Sequence, residues 1–339
     1  GIISLVKSFP LIIRTFKQAM ASMSNRRVKS NALRTEQDIS MPVLLVIVLI
    51  IAIAIWLVPA FPVSPIGALV VVVFGFFFAT VSSRMVGLIG SSNNPVSGMA
   101  IATLIIATLL LKATGTDGTT GMVGAIAIGG IICVIAAIAG DCSQDLKTGF
   151  IVGATPKKQQ IGEMVGVLAS SVTIGFVLYL LNEAWKYGSD QIPAPQATMM
   201  KMLVEGIMNA ELPWALILMG VCVAIAVEIV KIPVLPFAVG MYLPFSLSAG
   251  IMAGGVVRYL VERRKGSEEE KKKRTEKGVL FTSGLIAGEG IIGIVLAVLA
   301  VLELDDKIVL PFALPQVGSL IIFFVLLAGL YMLCVKKEK

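Results

Sequence analysis

Polar and ionisable side chains stand out in this chain because so little around them is polar. Asp141, Cys142, Ser143, Gln144, Asp145 and Lys147 lie together, and Gln159, Gln160 and Glu163 follow a short way on. Asp141 and Asp145 are four residues apart, so they share a face if the segment is helical. Two neighbouring carboxylates repel, and the repulsion pushes one of them toward protonation near neutral pH. Such a pair can take up and release a proton, with Glu163 as a further carboxylate beside it. Lys147 can instead hold one of the pair ionised. Gln144, Gln160 and Lys147 are the candidate substrate contacts of this stretch. The competing reading is a solvated basic loop with a helix cap, and residue types alone leave both open.

A second constellation is Ser91-Ser92-Asn93-Asn94-Pro95-Val96-Ser97-Gly98. Pro95 has no amide to donate, and Gly90 and Gly98 permit unusual backbone angles. A break there frees carbonyls and amides. Asn93, Asn94 and Ser97 then supply donors and acceptors suited to a peptide or a carboxylate. A turn with helix caps explains the same residues. Glu289 sits near the middle of the apolar run Val279–Leu302, between Gly288 and Gly290. A carboxylate at mid-bilayer is a functional candidate by default. Glu228, three residues before Lys231, reads better as one half of a local ion pair. Tyr242 is a candidate cavity residue, with packing as the alternative.

Other chemistry is excluded by what the chain lacks. It has no histidine, which removes serine–histidine and cysteine–histidine catalysis and histidine metal ligands from these residues. Its four cysteines, Cys133, Cys142, Cys222 and Cys334, form no CxxC pair and read as small apolar core residues. No cofactor or metal site is expected. The motif of intramembrane aspartyl proteases, GxGD, fails because Ile138 stands two residues before Gly140.

These residues need elements to hold them, and the composition says which kind. Of 339 residues 57% are hydrophobic and only 14% charged, against about 25% charged in an ordinary soluble domain. Mean hydropathy is +0.93. The expected fold is an all-α polytopic membrane protein in a plasma or bacterial inner membrane. A transmembrane helix needs about 20 mostly apolar residues. Pro42–Ala60, Ile66–Val86, Gly98–Leu111, Gly121–Gly140, Ile161–Leu181, Pro213–Val230, Val279–Leu302 and Val317–Val335 are the expected eight spans. The net charge of +7 does not indicate nucleic acid, because the basic residues cluster beside the spans. The clusters are Arg14–Arg34, Lys147 with Lys157 and Lys158, Arg258–Lys277, and the tail Lys336–Lys339. All four are placed in the cytoplasm, which puts the C-terminus there.

Parity then constrains the remaining apolar segment. Lys231 and Arg258 both fall on the cytoplasmic side, so Pro233–Val257 crosses zero times or twice. It is too short for two crossings at about 20 residues each. It is therefore expected to be a re-entrant or broken-helix element, which is tolerated only where protein or a cavity surrounds it. Pro236, Gly240 and Pro244 supply the breaks. The division along the chain is 1–40 (an interfacial or span-end helix and a basic loop), 41–182 (a transmembrane bundle with both polar motifs) and 183–212 (a non-cytoplasmic amphipathic segment). Then come 213–261 (a span with the broken element), 262–278 (a charged, flexible cytoplasmic loop) and 279–339 (two C-terminal spans). In the amphipathic segment Met199, Met202, Leu203, Ile207 and Met208 fall on one side, for packing on the bundle or for a lid. Gly87-Leu88-Ile89-Gly90 faintly echoes Gly284-Leu285-Ile286-Ala287-Gly288, as an internal repeat would.

GLIGSSNNPVSGM (Gly87–Met99), GDCSQDLKTGFIVGATPKKQQIGE (Gly140–Glu163), PVLPFAVGMYLP (Pro233–Pro244) and SGLIAGEGIIG (Ser283–Gly293) resemble the oligopeptide transporter family, which includes yellow-stripe-like metal-chelate carriers. The resemblance runs over most of the chain. It implies proton-coupled secondary transport of small peptides or peptide-like metal chelates by alternating access, and no enzyme activity. It also implies that the chain corresponds to the C-terminal half of a prokaryotic-type member, with a homodimer among the expected partners. The alternative is a channel or scaffold subunit. Substrate, coupling stoichiometry, direction and oligomeric state are left open.

Overall fold

Apolar runs of this length must satisfy their backbone polar groups internally once water is absent, and only helices or closed barrels do that. The computed structural model describes residues 33–59, 62–89, 94, 96–304 and 316–336, with positions 10, 13, 14 and 17. The interfacial or span-end helix expected at the start of residues 1–40 lies outside the described residues save those four positions. Among the described residues the regular elements are all helical. After a 3₁₀ turn at Arg34–Glu36 come α1 (Met41–Leu57), α2 (Pro65–Ile89), α3 (Val96–Ala113), α4 (Gly118–Val152) and α5 (Pro156–Trp185). There follow α6 (Pro195–Met208), α7 (Trp214–Ile229), α8 (Val234–Tyr242), α9 (Phe245–Arg263), α10 (Glu268–Val301) and α11 (Gln316–Val335). Among the described residues six helices are long and apolar enough to cross a membrane: α2, α3, α4, α5, α10 and α11. Two shorter apolar helices, α1 and α7, accompany them. The protein is an all-α polytopic membrane protein.

The chain divides into two compact units. One holds residues 1–171 and 196–235, the other residues 172–195 and 236–339. In the first, α4 packs along α2 and α3. Its buried positions include Gly121, Gly124, Ala125, Ile128, Gly129, Ile132, Ala136 and Gly140. Lipid tails are as apolar as leucine, so helices in a bilayer associate by close packing, which small residues permit. A methyl group at Gly129 would sit 2.6 Å from Leu104 Cδ2 of α3. Met99, Leu104, Ala107, Leu111, Val71 and Phe78 complete this core. Thr103 and Thr108, fully buried on α3, donate to the carbonyls of Met99 and Leu104 and so leave no orphan hydroxyl.

The amphipathic helix α6 packs into the same core through Val204 and Met208, with Met200 and Leu203 alongside. Most of the expected face is the buried one, with Ile207 and Met208 buried and Leu203 packed on the core, but Met202 is 60% exposed and Val204 is buried instead. Lys112 Nζ donates to Ile207 O at 2.9 Å, satisfying a carbonyl in the last turn of α6, where a cation is also favoured by the helix dipole. In the second unit α9, α10 and α11 pack together around Val257, Val261 and Cys334.

Three expectations about boundaries change. Asp141–Lys147 is not a loop but lies inside α4, which is 35 residues long. At 1.5 Å per residue that is about 52 Å, so one end passes beyond a hydrocarbon core of about 30 Å. Polar residues that looked like loop are the projecting end of a helix, and the basic loop shrinks to Gly153–Thr155, with Lys157 and Lys158 already in α5. The charged run Glu262–Lys277 is largely helical as well. Ser267 and Glu270 form a reciprocal capping box at the start of α10. Glu269–Lys273 and Glu270–Arg274 add pairs four residues apart. Finally, the broken element expected over Pro233–Val257 falls in α8, of nine residues, and α9, of 19, with its break at Leu243-Pro244, while Pro236 and Gly240 lie inside α8.

Candidate functional site

Both polar motifs of the sequence fall in the first unit, where two adjacent nodes form. The first is the crossing of α2 and α4. Ser82 Oγ donates to Ala136 O. Asn94 Nδ2 donates to Ser82 Oγ at 2.7 Å and to Ala136 O at 3.3 Å. About two turns further along α4, Ser143 Oγ donates to Ser83 O at 2.6 Å. The helices approach closely enough for this because Gly140 has no side chain: a methyl there would meet Val86 Cγ2 at 2.9 Å and Asn94 Nδ2 at 3.0 Å. Asn94 Oδ1 is enclosed with no hydrogen-bond partner among the described residues. The amide of Asn94 thus clasps two helices and keeps one acceptor unused. Asn93 and Pro95 lie outside the described residues, and Ser97 is exposed in the first turn of α3.

The second node forms where α4 turns into α5. Gly153 ends α4 with φ +76, a left-handed conformation that suits glycine, and its amide donates to Phe150 O. Pro156 then starts α5. This tight reversal lays Gln159 across Gly149, where a side chain would collide with it. Gln159 Nε2 donates to Asp145 O at 3.2 Å and to Asp145 Oδ2 at 3.4 Å. Glu163, one turn further along α5, stands within side-chain reach of Cys142 and Asp145. Gln159 Oε1 and Glu163 Oε1 are enclosed without a hydrogen-bond partner among the described residues.

The segment before α1 closes this node. Ile39 N donates to Gln160 Oε1 at 3.1 Å, and Lys157 N donates to Gln37 O at 2.8 Å. Arg34 Nη2 donates to Gly153 O, capping the turn. Between α1, α4 and α5 lies a groove of about 580 Å³. Asp38, Gln160, Cys142 and Glu163 supply its polar wall, and Ile47, Ile51, Ile138 and Met164 its apolar one.

The candidates from the sequence therefore separate. Asp145, Gln160 and Glu163 come together. Asp141, Gln144 and Lys147 are on the same helix end and are exposed, as Asp145 is too. Glu289 is exposed on α10 and Tyr242 half-buried at the end of α8, both in the second unit. Sequence reading missed Ser82 and Ser83, which have no charge to draw attention, gave Ser143 no role of its own, and missed the contribution of Asp38 and Ile39. It also passed over Arg84, a half-buried cation inside the apolar helix α2, a placement that is rarely neutral. Among the described residues no group of three or more cysteines, aspartates or glutamates could hold a metal ion.

The model of the family described as OPT oligopeptide transporter protein matches residues 2–300. The chain belongs to the oligopeptide transporter family. It is 32% identical over 280 residues to a "Putative oligopeptide transporter" of Haemophilus influenzae, a match covering 70% of this chain and 44% of that protein. A "Putative oligopeptide transporter" of Saccharomyces cerevisiae is 27% identical over 223 residues, 60% of this chain and 29% of the yeast protein. A "Probable metal-nicotianamine transporter" of Arabidopsis thaliana is 28% identical over 213 residues, 57% of this chain and 29% of the plant protein. The chain spans less than half the length of these curated relatives. No solved structure matches it. Oligopeptide transporter proteins are carriers and not enzymes.

Proposed function

We propose that this chain forms part of a secondary active transporter that carries small oligopeptides or peptide-like metal chelates across the plasma membrane, coupled to protons, by alternating access. The observation that carries this reading is the groove between α1, α4 and α5, where a polar wall containing Glu163 faces an apolar one. Pockets for small molecules have this make-up, mostly apolar with a few convergent polar groups. An enclosed carboxylate oxygen without a hydrogen-bond partner among the described residues is a place for a proton or for a ligand's N–H. Asp145 stands within reach of Glu163 as a second carboxylate. The names carried by the relatives, oligopeptide and metal-nicotianamine transporters, support both substrate classes.

In this reading Gln160 contacts substrate in the groove, and Asn93, Asn94, Ser97, Gln144, Lys147 and Tyr242 are further contacts along the path. Asp141, Asp145, Glu163 and Glu289 are the coupling groups. Eight helices cross the membrane, α8 and the start of α9 are the re-entrant pair, and the basic segments face the cytoplasm. Proteoliposomes holding a full-length family member that contains this chain provide the test. Uptake of di- to hexapeptides or metal chelates should rise when an inward proton gradient is imposed. An active preparation that shows no gradient-dependent uptake of either class sinks the proposal, and ion current far above carrier turnover makes the protein a channel.

A further inference from the structure

The second unit brings the charged ends of three helices to one level. α10 changes character at Lys277-Gly278: Glu268–Lys277 is dense in charge, whereas Gly278–Val301 carries only Glu289. α11 is free of charge to Val335 and then meets Lys336. The two boundaries touch, since a methyl at Gly278 would lie 2.8 Å from Cys334 Sγ. α9 arrives at the same place, with Val257 and Val261 packed in one cluster with Cys334. Basic residues gathered where apolar helices end are placed at the depth of lipid headgroups.

Two spaces open at this level and share Cys334 as a wall. One, of about 580 Å³, is bounded by Lys273, Arg274, Lys277 and Lys336, four cations against the two carboxylates Glu270 and Glu276. Lys273 is paired with Glu269 at 3.2 Å, but both side chains are more than 70% exposed, so the pair holds it weakly. The other space, of about 240 Å³, is mainly apolar, walled by Gly254, Val261, Gly278 and Leu330, with Arg258, Thr275 and Thr282 as its polar lining. Gly254 has open space where its side chain would be.

We propose that this pair of clefts binds an anionic phospholipid. The phosphate lies against Lys273, Lys277 and Lys336, and one acyl chain occupies the slot beside Gly254. A free phosphate would have no use for the apolar slot. A zwitterionic headgroup would bring a cation into a site that already holds an excess of positive charge. An anionic headgroup with a hydrocarbon tail matches both halves.

The test uses the whole chain, purified in nonionic detergent and offered equal amounts of phosphatidylglycerol and phosphatidylcholine, with retained lipid read by native mass spectrometry. The wild type should retain phosphatidylglycerol preferentially, and inorganic phosphate in excess should not displace it. Replacing Lys273, Lys277 and Lys336 by Gln should weaken retention by about fivefold for each cation removed. The corresponding Arg substitutions should preserve it. Gly254→Leu should fill the slot and reduce retention with every cation still in place. Circular dichroism and gel filtration establish that each variant is folded. Equal retention of the two lipids, unchanged selectivity in the folded Gln variant, unchanged retention in Gly254→Leu, or release by inorganic phosphate would each overturn the assignment.

Discussion

Glu163 is the residue on which the coupling proposal turns. It lines an apolar-walled groove that neither Asp141 nor Glu289 lines, with Asp145 and Cys142 within its reach. If it carries the coupling proton, Glu163→Gln fixes the neutral state. Gradient-driven uptake should then fall at least tenfold, while exchange of substrate across equal pH continues. Uptake that still follows the gradient in this variant would remove Glu163 from the coupling group. The glycines of α4 allow a sharper structural comparison. At Gly140 an added side chain meets Val86, Asn94 and Ser82, whereas at Gly130 it meets nothing within 4 Å. Gly140→Val should therefore destabilise the chain by about 1–3 kcal/mol through overpacking. Gly130→Ala should be neutral or slightly stabilising, since alanine favours a helix by about 1 kcal/mol over glycine. Thermal unfolding midpoints in detergent should rank them in that order. A common shift for both would show that the α2–α4 contact is not tight.

At the scale of elements, the helices were legible in the sequence because a bilayer forces long apolar runs into them. Their ends were not. Polar residues such as Asp141 and Gln144 signal water, and water is reached by a projecting helix end as readily as by a loop. The site was half legible. Glu163 and Asp145 announce themselves by charge, but their approach depends on the reversal at Gly153, which no residue spacing reveals. The Ser82–Asn94–Ala136 clasp was hidden for a similar reason: it joins three segments through a side chain and a backbone carbonyl. The echo between Gly87–Gly90 and Gly284–Gly288 gains nothing from the structure, since Gly87 lies against Ser143 while Gly284 and Gly288 have open space. The reversal itself can be tested. Gly153→Val places a β-branched residue at positive φ, where non-glycine residues cost about 1–2 kcal/mol or more. It should lower the unfolding midpoint and reduce uptake together. Gly153→Asn tolerates the left-handed region and should restore both. If valine is accepted without loss, the turn does not set the geometry of the site.

For the whole molecule the open question is which helices besides the six long ones cross. α1 and α7 have 17 and 16 residues, about 26 and 24 Å, short of a hydrocarbon core of about 30 Å. α9 has 19 residues, but Arg258, Glu262 and Arg263 occupy its end, leaving Phe245–Val257 as its uncharged part. Two arrangements give the same side to Lys158 and Lys265. Either α7 crosses and α8–α9 returns to its own side, or α7 lies flat and α9 crosses once. Lys231, between them, separates the two. α7 has only Glu228 as a charge and is flanked by Trp214 and Lys231, residues that anchor a short span at its two interfaces. The first arrangement is therefore expected. With the native cysteines replaced, single cysteines at Lys158, Asp190, Glu211, Lys231 and Lys265 can be labelled by a membrane-impermeant maleimide in sealed vesicles of known orientation. Lys158, Lys231 and Lys265 should react from the cytoplasmic side, and Asp190 and Glu211 from the other. Reaction of Lys231 on the side of Glu211 would make α9 the crossing helix and end the re-entrant reading of α8 and α9. Reaction of Lys265 opposite Lys158 would overturn the count of eight.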